Sequence, residues 1–247
     1  MIGIILAIIA VIIIVVLVLS KRKAPVVLPP PPPPPPPPTV GGPAPLPEGV
    51  HLTLVVQTLN VSVADVAAYL AAQQAQIDLD FSPAWGGSAV IDQKSGGWPV
   101  YLKDVSDVQG ALGYHDVDQN GVPFAKVFVQ TSKNAGINWQ SVASHEVLET
   151  LADANVNTTD LGADGCQWYQ EVGDPVEDKA YARLGVVLSD FATPAWFTPG
   201  AQAPYDFLGV LTAPFTVTAG GYAIEVCNGK TITVGGAAAI SVDKAYE

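Results

Sequence analysis

The sequence predicts an α+β protein: a mixed sheet with a few helices, preceded by a transmembrane helix and a polyproline stalk. Three observations carry this prediction: an uncharged apolar segment at residues 1–20, a run of prolines at 29–38, and short strand-like and helix-like segments from residue 50 onward. The expected organisation is a membrane anchor at 1–20, a basic and proline-rich linker at 21–49, and a globular domain at 50–247.

Residues 1–20 are long enough to cross a bilayer, because helical residues rising about 1.5 Å each cover the roughly 30 Å of hydrocarbon. The segment lacks the basic start and the small-residue cleavage site of a signal peptide. Lys21, Arg22 and Lys23 follow it at once. Positive charge collects on the cytoplasmic side, so the domain is expected in the cytoplasm or on the equivalent face of an internal viral membrane.

Ten consecutive prolines, Pro29 to Pro38, follow this basic flank. Such a run adopts a polyproline II helix of about 3.1 Å per residue and forms a stiff spacer on the order of 30 Å long. The alternative is a ligand for proline-binding domains. Beside a membrane span we favour a stalk that holds the domain away from the bilayer.

The composition restricts the function of the domain. The chain has 247 residues and a formal charge of −12, and the part after the basic flank carries all 23 acids against eight bases, or −15. A domain with this much negative charge is repelled by phosphate backbones, which argues against nucleic acid as a partner. Cys166 and Cys227 form no CxxC pair, and either one disulfide or two buried thiols fit them.

Local patterns predict the elements of the domain. Ser62 opens a helix, with Asp65 completing a weak capping box and Val66, Tyr69 and Leu70 on its inner face. Alternating or β-branched segments predict strands at His51–Gln57, Ile77–Phe81, Ala89–Asp92, Pro99–Leu102, Phe124–Val129, Phe215–Val217, Tyr222–Val226 and Thr231–Val234.

Two further segments carry turn and cap signals. Asp116–Gly121 resembles the start of an EF-hand loop, but Val127 stands where the loop needs Glu, so a hairpin turn at Asn120–Gly121 is favoured. Asn138 is a plausible N-cap for a helix that runs to about Ala154. Residues 157–165 are expected to be loop.

The predicted helix carries the motif His145-Glu146-Val147-Leu148-Glu149. Residues four apart share a helical face, so His145 and Glu149 can grip one metal ion. Glu146 lies beside them and could take a proton from a water. This is the spacing of HExxH metallopeptidases, with a carboxylate in place of the second imidazole. In those enzymes zinc polarises the scissile carbonyl and the glutamate transfers the proton.

Such a site needs a third protein ligand. Glu171 and Asp174 are the candidates, and Asp174 is the less free because Pro175 restricts its backbone. Asp153 lies one further turn along the helix, as a ligand or as a residue that orients ligands. His115 could join the site, but we interpret it as a structural histidine beside a turn.

The pentapeptide alone also fits a solvated acidic helix face. Its context favours a metal site, because a strand precedes the helix, bases are scarce nearby and a second acid cluster follows at loop distance.

Several stretches together resemble a family of zincin-like HExxE metallopeptidase-type proteins from bacteria and viruses, and plant Exordium-type proteins show a looser version. The resemblance covers roughly residues 85–225. The stretches are Ala111–His115, Pro123–Val129, Ser144–Glu149, Asp153, Glu171–Glu177 and Ser189–Phe197. The chain departs from the pattern at Ala154, which stands where proline is usual.

The resemblance implies that His145, Glu149 and an acid from the Glu171/Asp174 segment are metal ligands and that Glu146 is the base. One imidazole with two or three carboxylates suits zinc, and also manganese or calcium. Zinc is the predicted cofactor.

The sequence therefore predicts a membrane-tethered, zinc-dependent metallohydrolase, a peptidase whose protein or peptide substrate lies near the membrane. The alternative is a structural or virion membrane protein whose zincin-like domain uses a metal only to hold its loops together. A third hypothesis is a binding module that presents Trp85, Trp98 and Trp196 to a carbohydrate or partner surface.

Overall fold

A computed structural model of the chain describes residues 42–235. The predicted span at 1–20 and the proline run at 29–38 lie outside these residues. Between residues 42 and 235, no helix combines the length and the apolar character needed to cross a membrane. Leu46, near the end of the predicted linker, is buried and donates its N–H to the carbonyl of Trp85. The α+β class is confirmed: several sheets are accompanied by few helices.

The main sheet is mixed and has the order β2-β1-β3-β5-β4. Its strands are β1 (Val50–Val56), β2 (Ala89–Asp92), β3 (Trp98–Lys103), β4 (Gly113–Val117) and β5 (Pro123–Phe128). Strands β2, β1, β3 and β5 run parallel, and β4 is antiparallel at the edge. The four strands predicted in this region are confirmed to within one residue at each end, whereas β4 is absent from the predicted elements.

Helix α1 (Val63–Gln76) begins at Ser62 as predicted. The Ser62 hydroxyl accepts the N–H of Asp65, and the Asp65 carboxylate accepts the N–H of Ser62, which completes the capping box. The predicted strand at Ile77–Phe81 is wrong. A π-helical turn (Ile77–Phe81) and the short helix α2 (Ser82–Trp85) continue α1 instead.

The error at Ile77–Phe81 has a simple cause. A short apolar run fits a strand or a buried helical turn equally well. A strand would turn Ile77, Leu79 and Phe81 to one face, but Ile77 and Phe81 are buried while Leu79 is 63% exposed. Spacing of four, typical of a helix, is the pattern that the core uses here.

The β4–β5 hairpin turns at Asn120–Gly121, as predicted, and Gly121 supplies the positive φ of 76° that this turn requires. The Asp118 carboxylate accepts the N–H groups of Asn120 and Val122. This acid therefore closes the turn, and the hairpin interpretation is confirmed over the EF-hand.

The short helix α3 (Val129–Asn134) leads into α4 (Trp139–Ala152). Asn138 caps α4 as predicted, since its side-chain oxygen accepts the N–H of Gln140. The helix ends at Ala152, two residues before the predicted end at Ala154, and Asp153 is its C-cap. Helix α4 packs against β4 and β5 on one side and against a later strand, β9 (Val186–Ser189), on another. It is therefore buried nearly all round.

A second sheet is antiparallel, with the order β11-β10-β7-β6. Its strands are β6 (Thr159–Leu161), β7 (Gln167–Tyr169), β10 (Tyr222–Cys227) and β11 (Lys230–Gly235), and β8 (Ala180–Arg183) pairs separately with β9. The predictions of β10 and β11 are confirmed. The predicted strand at Phe215–Val217 is wrong, and the predicted loop at 157–165 contains β6. A disulfide joins Cys166 to Cys227 and so decides between the bridge and two buried thiols.

The tryptophans argue against the third hypothesis. Trp196 is fully buried and Trp85 is 3% exposed, with its indole N–H donated to the carbonyl of Ala192. Trp98 is half-buried and packs against the same core. These rings stabilise the domain and do not form an aromatic binding surface.

Candidate metal centre

Helix α4 directs His145 and Glu149 to the same point in the interior. His145 Nε2 lies 3.1 Å from Glu149 Oε1, as the spacing of one helical turn predicts. His145 is 4% exposed, and Glu146 and Glu149 are fully buried. The helix therefore does not present a solvated acidic face. The neighbouring Ser144 fixes the helix, since its hydroxyl accepts the N–H of Ser189 in β9.

The segment after β7 brings a further carboxylate to this pair. Asp174 begins a 3-10 turn (Asp174–Val176), is fully buried, and places Oδ1 3.3 Å from His145 Nε2. Pro175 is well tolerated near the start of such a turn, because an N–H at that position would have no partner within the turn. The N–H of Gly173 donates to Glu149 Oε1 at 3.1 Å and ties the turn to the helix.

Glu171 lies in a different part of the cluster. Its Oε2 is 3.5 Å from His115 Nε2, and the side chain is buried. The two candidate third ligands are thus not interchangeable: Asp174 joins His145, and Glu171 joins His115.

The interpretation of His115 as a histidine beside a turn is wrong. It lies in the middle of β4, is 1% exposed, and contacts the HExxE helix. Its Nδ1 is 3.6 Å from Glu149 Oε2 and 3.9 Å from Glu146 Oε2. Side chains alternate along a strand, so Gly113 and His115 share the face of β4 that covers α4.

Glu146 lies under the edge strand, between that strand and its own helix. A side chain at Gly113 would have no room, because its Cβ would stand 2.5 Å from Glu146 Oε1 and 2.8 Å from Val142. A Cβ at Gly173 would likewise collide with the imidazole of His145. Both glycines are therefore needed for close approach to the site.

Asp153 holds the chain that leaves the helix. Its Oδ1 accepts the N–H groups of Asn157 and Thr158 at 3.0 Å each, and the residue is fully buried. It does not belong to either group of convergent ligand atoms. The Asp153 carboxylate also interacts electrostatically with the imidazole of His115 in the edge strand β4.

The cluster concentrates negative charge in the interior. Five of its carboxylates are at most 2% exposed: Glu146, Glu149, Asp153, Glu171 and Asp174. Among residues 42–235 no lysine or arginine is buried. A buried charge needs a partner, so this excess of acid requires either protons or bound cations.

The pKa values of His145 and Glu149 are shifted by the charges around them. Burial alone would lower the pKa of His145, but the carboxylates of Glu149 and Asp174 outweigh burial and raise it well above its ordinary value. Burial opposes ionisation of Glu149, but the imidazoles of His145 and His115 lower the pKa of this carboxyl. The donor atoms are thus held in an ion-paired state.

The spacing of the donor atoms fits a metal ion. Tetrahedral zinc holds its ligand atoms about 2.1 Å away, so ligand atoms on one ion lie about 3.4 Å apart. The contacts of His145 Nε2 with Glu149 and Asp174, at 3.1 and 3.3 Å, match this length. Imidazole and carboxylate are also donors that zinc accepts. His145, Glu149 and Asp174 could therefore hold one such ion.

A third convergent group does not fit. It consists of Asp164, Cys166 and Glu225. The sulfur of Cys166 is committed to the disulfide with Cys227, so no thiolate is present to bind a metal there.

A pocket of about 180 Å³ reaches His145 from the surface. Its wall includes Ser141 and Val142 from α4, and Glu177 and Lys179 from the segment after the 3-10 turn. Glu177 therefore lies where a ligand could meet it, whereas Glu146 is not among the lining residues. Asp174 and Glu177 are three residues apart, the repeat of a 3-10 turn, and this spacing is the sequence signal for Glu177.

In comparisons with known proteins, no family model, curated protein or solved structure matches this chain.

Proposed function

We propose that this chain is a membrane-tethered, zinc-dependent hydrolase that cleaves peptide bonds near the membrane. The observation that carries the proposal is the buried convergence of His145, Glu149 and Asp174, of which His145 lines a pocket. The resemblance to zincin-like HExxE proteins supports it, since that resemblance implies a mixed sheet with an active-site helix.

His145, Glu149 and Asp174 would hold the ion. When bound, zinc supplies polarisation of the scissile carbonyl and acidification of a water. Glu146 is the proposed base, because it lies beside the proposed ligands. Its Oε2 is 3.9 Å from His115 Nδ1, and its negative charge helps to raise the pKa of His145. It takes a proton from the attacking water, whose oxygen bonds to the carbonyl carbon. The C–N bond then breaks, and the proton passes from Glu146 to the amine that leaves.

The test replaces Glu146 with Gln in the full chain and follows cleavage of a peptide library together with bound metal. We expect cleavage to fall by at least about 100-fold, the typical contribution of a general base, while the metal content stays unchanged. Glu177→Gln is the matched comparison, because Glu177 lines the pocket. If Glu177→Gln abolished cleavage and Glu146→Gln did not, the base would be misassigned.

One observation favours a second candidate function, a domain in which the metal only holds the structure. The proposed ligands are at most 4% exposed, and a structural site is closed. In that case a chelator would lower the melting temperature of the chain, and no peptide in the library would be cut. Cleavage that is lost with the metal and restored by zinc would exclude this candidate.

A further inference from the structure

We propose that the buried cluster holds two cations and that Glu149 bridges them. This inference rests on the metal centre of the proposed function and extends it. The first ion takes His145, Glu149 and Asp174, and the second takes His115, Glu149 and Glu171. Within each group the potential ligand atoms lie within 4.8 Å of one another.

The two oxygens of Glu149 point to different histidines. Oε1 is 3.1 Å from His145 Nε2, and Oε2 is 3.6 Å from His115 Nδ1. Oε2 is buried, and its separation of 3.6 Å from the imidazole is longer than an ordinary hydrogen bond. A carboxylate oriented in this way can bind one ion through each oxygen.

The second group has the same donor types as the first. Each contains one histidine, the shared Glu149 and one acid from the segment after β7. In the second group the two contacts use different ring nitrogens: His115 Nδ1 lies 3.6 Å from Glu149 Oε2, and Nε2 lies 3.5 Å from Glu171 Oε2. An ion takes one of these nitrogens, and the ligand atoms of the group then lie within 4.8 Å of one another.

Charge balance favours two ions over one. With neutral histidines the five buried carboxylates carry five negative charges. One divalent cation leaves three of them uncompensated, and two divalent cations leave one. None of the lysines and arginines among residues 42–235 is buried to supply the difference. Hydrolases with two metals hold them roughly 3.5–4 Å apart, a separation that a carboxylate can bridge.

The experiment counts metal ions bound by the full chain. The chain is stripped with a chelator, dialysed against excess Zn²⁺ and then metal-free buffer, and analysed for zinc per protein. We expect two ions in the unmodified chain and one in both His115→Ala and Glu171→Gln. His51→Ala is the control: His51 lies in β1 and pairs with Asp92 of β2, outside the cluster, so this variant should keep both ions.

A second measurement keeps the proposal testable if the variants fail to fold. The unmodified chain loaded with Mn²⁺ should give the electron paramagnetic resonance spectrum of two exchange-coupled ions, not the hyperfine pattern of isolated Mn²⁺. One zinc per chain together with an isolated Mn²⁺ spectrum would overturn the two-ion centre and leave the hydrolase proposal intact. A folded chain that binds no metal would overturn both.

Discussion

Gly173 lies where the backbone after β7 meets the imidazole of His145. Because a Cβ at this position would collide with the ring, Gly173→Ala should displace His145 and weaken zinc binding at least about 10-fold, as expected when a ligand loses its orientation. Calorimetric titration of the stripped chain measures this loss.

Gly121→Ala serves as the control for that change. Gly121 has a positive φ of 76° and open space around it, far along the chain in the β4–β5 turn. Its replacement should cost about 1 kcal/mol of stability and leave zinc affinity unchanged. Equal affinity losses in both variants would mean that the close approach at Gly173 does not position His145.

Asp190 makes the stability of the domain depend on pH. Burial and a hydrogen bond to Asp206 raise the pKa of its carboxyl from 3.8 to about 8. Between these values the folded chain holds a proton that the unfolded chain has lost, so stability should fall as pH rises, by up to about 1.4 kcal/mol per pH unit. Asp190→Asn keeps an acceptor for the N–H groups of Phe191 and Leu208 and should remove the part of this slope that Asp190 contributes.

Denaturant unfolding of the chain and of Asp190→Asn between pH 5 and about pH 8 measures the effect. Asp78→Asn, which changes an exposed acid, is the reference. A variant whose stability declines with pH as steeply as that of the unmodified chain would show that Asp190 is not the responsible group.

At the scale of elements, the sequence predicts α4 well and β4 not at all. Local signals define α4: Asn138 is a capping residue, and His145 and Glu149 meet because of spacing alone. His115 depends on β4, whose short run Gly113–Val117 carries weak strand signals. The predicted turn at Asn120–Gly121 implied a partner strand before it, and this was the available signal for placing His115 opposite Ala125.

The division of Glu171 and Asp174 between two histidines could not be predicted. Sequence spacing puts both in one loop, but their destinations depend on how the second sheet and its 3-10 turn meet α4 and β4. Such contacts join residues more than 20 positions apart and have no local signal. Burial of the charged helix face likewise has no local signal, because β4 and the 3-10 turn that cover it come from other parts of the chain.

The disulfide between Cys166 and Cys227 stabilises the second sheet. It closes a loop of 61 residues, for which chain entropy gives up to about 4 kcal/mol of stability. Reduction should lower the free energy of unfolding by an amount approaching this limit, measured by urea unfolding with and without dithiothreitol. Cys166→Ala/Cys227→Ala should be insensitive to the reductant, and an equal response to dithiothreitol in that variant would contradict the assignment.

At the scale of the whole molecule, the basic flank and the disulfide favour different compartments. Lys21, Arg22 and Lys23 predict a cytoplasmic domain, whereas disulfides persist mainly in oxidising compartments. If the domain is cytoplasmic, alkylation in intact cells should label both cysteines, and the bridge forms only after isolation. Cysteines that resist labelling until a reductant is added would contradict the cytoplasmic orientation.

The acidity of the molecule has two parts with different physical roles. Eleven of the 21 acids among residues 42–235 are exposed or half-buried, and ten are buried. Five of the buried acids are packed around two histidines, and no lysine or arginine among the same residues is buried. Both proposals require that cations compensate this interior charge.

The most direct test is elemental analysis of the full chain, purified without chelator, beside His145→Ala and the control His51→Ala. We expect bound zinc in the unmodified chain and in His51→Ala, and less zinc or none in His145→Ala. A correctly folded chain that carries no metal, and takes up none from excess Zn²⁺, would contradict this expectation.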